Sequence, residues 1–99
     1  MKNTREDVLK ALETNCHALH AYGVRSLGLF GSVACGDATS TSDLDFVVQF
    51  DKTSFDGYMD VKAFLEGLFG CRVDLVLENT IKPRLRGAIL REAVYAPGL

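Results

Sequence analysis

Cysteine is scarce and unpatterned in this chain. Cys16, Cys35 and Cys71 are odd in number, far apart, and never form a Cys-x-x-Cys pair. Count and spacing argue against a disulfide framework and against a zinc site, so Cys16 and Cys71 read as small core residues. Long apolar runs are missing too, and nothing approaches the ~18 residues that span a bilayer. The opening Met1-Lys2-Asn3-Thr4-Arg5-Glu6-Asp7 is charged, with no apolar stretch of the signal-peptide kind behind it. A cytoplasmic protein with no membrane partner is the expectation. Positive charge is not in surplus either: the formal net charge is −2. That argues against an extended grip on nucleic-acid phosphates, while leaving a single nucleotide as a ligand.

What is present suits one small globular domain over residues 1–99, able to bury roughly 60–70% of the surface its unfolded chain exposes. Val8, Leu9, Leu12, Cys16 and Leu19 recur at helical spacing, predicting a helix from Thr4 to Tyr22 that Gly23 stops. Residues 24–30, VRSLGLF, read as a strand, and residues 31–42, rich in Gly, Ser and Thr, as a loop. In 43–50, DLDFVVQF, strict alternation puts Leu44, Phe46, Val48 and Phe50 on one face and Asp43, Asp45, Val47 and Gln49 on the other. A helix near 58–69 with the stripe Val61, Phe64, Leu65 and Leu68 follows. CRVDLVLE, 71–78, is a third strand, and Pro83 opens a last helix whose Leu85, Ile89 and Ala93 face inward. The order α-β-β-α-β-α predicts an α/β (α+β) domain, a small mixed sheet with helices packed against it.

The residues that resist a purely structural reading are acids. Asp43 and Asp45 lie two apart on a strand, so they project from one face about 6.6 Å apart. Two converging carboxylates repel unless a cation separates them, and hard oxygen donors suit Mg²⁺. A pair of such ions about 3.5–4 Å apart clamps the attacking and leaving oxygens of a phosphoryl or nucleotidyl transfer. Asp74, inside VDLVL, is costly to bury unless it is paired or bound to metal. If its strand lies beside 43–50 in register, Asp74 falls next to Asp45 and can accept a proton from an incoming hydroxyl. Taken singly, Asp43 also reads as a turn residue and Asp74 as an edge-strand charge. The Gly31-Ser32 turn weighs against reading them singly. Glycine allows close backbone approach, exposed N–H groups attract anions, and a serine hydroxyl adds one hydrogen bond to a phosphate oxygen. His17 and His20 read as solvent-facing. Lys82, Arg84, Arg86 and Arg91 read as a solvated basic face that can meet phosphates or an acidic partner. Tyr22, Tyr58 and Tyr95 take no assignable role, and no base-stacking aromatic can be named.

The stretch GLFGSVACGDATSTSDLDFVV resembles the signature of the minimal nucleotidyltransferases, small members of the DNA polymerase beta-like superfamily. Gly31, Ser32, Gly36, Ser42, Asp43 and Asp45 match it, VDLV with Asp74 matches the third acidic strand, and LRGAILREAVYA is similar to the closing helix. Many relatives carry Arg where this chain has Cys35. The resemblance implies the polymerase beta-like nucleotidyltransferase fold. It implies Mg²⁺, one ion or two, held by Asp43, Asp45 and Asp74, with an NTP such as ATP on Gly31, Ser32 and Ser42. It further implies a HEPN-domain toxin as protein partner in a hetero-oligomer, silenced by transfer of AMP to a tyrosine hydroxyl. Two other readings stand beside it: an antitoxin acting by occlusion alone, and a subunit modifying a small hydroxylated molecule.

Overall fold

The computed structural model describes residues 4–31 and 43–99. Ser32, Cys35, Gly36 and Ser42, and the loop expected over 32–42, lie outside the described residues. Helix α1 spans Arg5–Thr14, α2 Cys16–Ala21, β1 Val24–Phe30, β2 Leu44–Phe50, α3 Phe55–Phe69, β3 Val73–Leu77, α4 Pro83–Glu92 and β4 Val94–Tyr95. The four strands form one mixed sheet in the order β3-β2-β1-β4. Strand β1 is antiparallel to both β2 and β4, while β2 and β3 are parallel. The parallel step follows from length: α3 supplies the long crossover that two parallel neighbours need. No helix among the described residues is long and apolar enough to cross a membrane.

Two expectations are corrected. The single helix predicted over Thr4–Tyr22 breaks at Asn15. Thr4 caps its start, accepting a 3.1 Å hydrogen bond from the Asp7 amide. At the break, the Thr14 hydroxyl donates to the Lys10 carbonyl at 2.9 Å and the Asn15 amide side chain to the Ala11 carbonyl at 2.8 Å. Short polar side chains thus compete for the backbone acceptors that would continue the helix. The second correction concerns Leu85. Predicted to face inward, it is 49% exposed, because α4 buries none of its residues fully.

Helix α3 begins earlier than predicted. Ser54 accepts from the Gly57 amide at 3.0 Å, and Gly70, with φ +66°, closes the helix in the left-handed region. Two side chains of α3 then fix β3. The Tyr58 hydroxyl donates to the Leu75 carbonyl at 2.6 Å, and a Glu66 carboxylate oxygen accepts from the Val73 amide at 3.2 Å. The core lies on one face of the sheet. Leu27, Leu29, Leu44, Phe46, Val48, Val73 and Leu75 meet Val8 and Leu12 of α1, Leu19 of α2, and Val61 and Leu65 of α3. The Phe69 ring stacks on Phe46 with centroids 6.0 Å apart. Cys71 packs against this core, and Cys16 is half-buried.

Candidate functional site

Alternation along the strands sends a second set of side chains to the opposite face of the sheet. The ladder fixes who stands beside whom. Phe30 pairs with Asp45, and Asp45 with Asp74, making one row. Two residues further along each strand, Gly28 pairs with Val47, Val47 with Val76, and Gly28 on its other side with Tyr95. The register that would put Asp74 beside Asp45 is therefore the one present. Parallel pairing starts both acids near the N-terminal ends of their strands, and β1 delivers its C-terminal end to the same place.

Asp45 is half-buried, whereas Asp43 and Asp74 are exposed. Burial first, then the Asp74 charge, a hydrogen bond shared with the Asp74 carboxyl, and the more distant Asp43 charge all push the Asp45 carboxyl above its ordinary value. Two acids in hydrogen-bond contact want a proton or a cation between them. That donor set, hard and anionic, fits a divalent cation of the Mg²⁺ kind. Among the described residues no three acidic, histidine or cysteine side chains close into an ion-enclosing group. Asp45 and Asp74 are the pair brought into contact, and Asp43 acts on Asp45 through space.

Gly31 ends β1 with φ +80°. A Cβ built there would run into the Asp45 carboxylate, lying 3.2 Å from its Cγ, so the turn and the acid are in direct contact. Ser32 and Ser42, expected to touch phosphate, fall outside the described residues. His17 and His20 are exposed, as expected, and the His20 Nε2 lies 3.1 Å from the Gly98 carbonyl oxygen. The basic face of α4 is partly engaged already: Arg86 meets Glu78 at 3.4 Å and Arg91 donates to the Gly87 carbonyl at 3.2 Å.

Sequence reasoning passed over Phe30, Gly28 and Tyr95. Phe30 is the apolar neighbour of Asp45 on the side away from Asp74. The signal available was Gly28, a glycine inside a strand that otherwise reads as continuous, which marks a close approach by something else. Here that is the Tyr95 ring of β4, a strand too short to show as a period.

Residues 9–96 match the family model described as a nucleotidyltransferase domain. The protein adenylyltransferase MntA of Thermococcus cleftensis is 40% identical over 75 residues, covering 75% of this chain and 76% of that relative. A solved structure described as a minimal nucleotidyltransferase superposes with a TM-score of 0.71 at 40% identity, over 87% of this chain and 93% of that one. A second, an AMPylated HEPN toxin of Shewanella oneidensis in complex with its MNT antitoxin, gives a TM-score of 0.62 at 16% identity, over 88% of this chain and 70% of that one. At that identity the second likeness is one of fold.

Proposed function

Because this chain belongs to the nucleotidyltransferase domain family, we propose that it moves AMP from ATP onto a tyrosine hydroxyl of a HEPN-type toxin and so acts as that toxin's antitoxin. The observation that carries the reading is the contact of the Asp45 and Asp74 carboxyls at the mouth of the Gly31 turn. A relative that is 40% identical is named a protein adenylyltransferase, and a chain of the same fold is the antitoxin of an AMPylated HEPN toxin.

In this reading the acceptor oxygen bonds to the α-phosphorus, the bond to the β-phosphate oxygen breaks, and pyrophosphate leaves. Asp43, Asp45 and Asp74 would hold Mg²⁺, which would supply neutralisation of charge on the phosphates and on the attacking oxygen. Asp74, exposed and paired with Asp45, takes the hydroxyl proton. The Gly31 turn brings bare backbone to the phosphates, with Ser32 and Ser42 as hydroxyl donors.

The test is mass spectrometry of the partner after incubation with ATP, Mg²⁺ and this chain. One or more AMP additions on tyrosine are expected, and Asp45→Asn and Asp74→Asn should each slow transfer on the order of 10²-fold or more, several kcal/mol of barrier. An unmodified partner would refute the reading. Cells still protected by an Asp45→Asn chain that transfers nothing would assign the antitoxin effect to occlusion instead.

A further inference from the structure

Tyr95 is the aromatic that the sequence left without a role, and its placement is unusual. Its strand partner is Gly28, in the middle of β1. A Cβ at position 28 would stand 3.1 Å from Tyr95 Cε1, 3.2 Å from Tyr95 Cδ1 and 3.2 Å from Val47 Cγ1. The ring therefore lies over the bare backbone of Gly28, with Val47 on that residue's other side, on the face of the sheet that carries Asp45 and Asp74. A glycine-backed ring also steadies a sheet, but a ring placed for that alone gains most by being buried. Tyr95 instead stays 42% exposed, while Val47, across Gly28 from it, is 1% exposed. The Tyr95 row is one step along the strands from the carboxylate row. Two strand spacings and one such step put Tyr95 and Asp45 about 12 Å apart at Cα, a span that a nucleoside and the reach of the ring together cover.

We infer that the exposed surface of the Tyr95 ring is the shelf on which the base of the bound nucleotide stacks, with Gly28 conserving the space that lets the ring lie down. This rests on the transferase reading above and adds a base subsite to it. Stacking reads the area of a π face and not the pattern of its edge, so the shelf favours purine over pyrimidine nucleotides and separates adenine from guanine weakly. The Tyr95 hydroxyl is pushed above its ordinary value by burial and by the Glu78 charge, with Arg86 opposing. The phenol thus stays uncharged beside an anionic ligand.

The test is calorimetric binding with Mg²⁺ present, using ATP and inorganic tripolyphosphate as probes. Tyr95→Leu should weaken ATP roughly 5- to 150-fold, the range that one base–aromatic stack gives, and leave tripolyphosphate unchanged. Tyr95→Phe should bind ATP as the wild type does, and the wild-type preference for ATP over UTP should shrink in Tyr95→Leu. ATP bound equally by wild type and Tyr95→Leu would overturn the shelf alone. Equal losses for ATP and tripolyphosphate would also overturn it, reducing Tyr95 to a sheet-packing residue. Wild-type protein that binds neither probe would overturn the transferase reading itself.

Discussion

Gly31 and Asp45 make one local bargain between backbone and charge. With φ +80° and the Asp45 carboxylate where its Cβ would be, position 31 admits only glycine. Gly31→Ala should therefore cost more than the ~1 kcal/mol typical of a forced left-handed residue, because the carboxylate must also move; urea denaturation and the transfer rate should fall together. Asp45 carries the opposite sign. Its carboxyl is held above the unfolded value of 3.8, so the native state binds protons more readily than the unfolded chain. Stability then declines as pH rises from the unfolded value through the raised native one, and the penalty is fully present above both. Asp45→Asn should accordingly raise the melting temperature at neutral pH, with the gain fading at pH below 3.8, as differential scanning fluorimetry across pH would read. A melting temperature lowered at neutral pH would contradict this account of the pair. That Asp45 and Asp74 stand side by side was legible in the sequence, because strict alternation puts both acids on one face once their strands pair in register; Asp43 lies just before β2. Tyr95 was not legible, because its placement depends on Gly28, on the strand beside that of Asp45, and on a β4 too short to show as a period.

Among the elements, β2, α3 and β3 do the positioning. The alternation in DLDFVVQF and VDLVL was strong enough to assign both strands and both faces. Register is harder, since it depends on where α3 ends and how it grips β3. Gly70 sets the first, and Tyr58 and Glu66 set the second. Loss of the Ser54 cap, as Ser54→Ala, should cost about 1 kcal/mol, and Tyr58→Phe about 0.5–1.5 kcal/mol by freeing the Leu75 carbonyl; chemical denaturation measures both. Elsewhere local competition hid the outcome. The apolar period of α1 runs on past Thr14, yet Thr14 and Asn15 turn to the backbone and split the helix. The period of α4 likewise predicts a buried Leu85, which is half-exposed because this helix, running from one edge strand of the sheet to the other, buries none of its residues fully.

At the scale of the whole molecule, one face of a four-stranded sheet is spent on the core, and the other carries Asp45, Asp74 and Tyr95. Phe46, fully buried between the strands and Phe69, is the centre of the first face. Phe46→Ala should cost about 3–5 kcal/mol, a large part of the ~5–15 kcal/mol available to a small domain, and circular dichroism at 37 °C should show partial unfolding. On the second face, parallel pairing of β2 with β3 sets Asp45 beside Asp74, and antiparallel pairing of β1 brings the Gly31 turn to the same row. The nucleotidyl-transfer reading stands on that convergence. It is tested most directly by offering the HEPN-type partner ATP labelled on the α-phosphate in one reaction and on the γ-phosphate in another. The account predicts that α-label passes to the partner, that γ-label does not, and that folded Asp45→Asn and Asp74→Asn chains pass α-label about 10²-fold or more slower. Transfer of γ-label, or α-label moving undiminished in those variants, would contradict it.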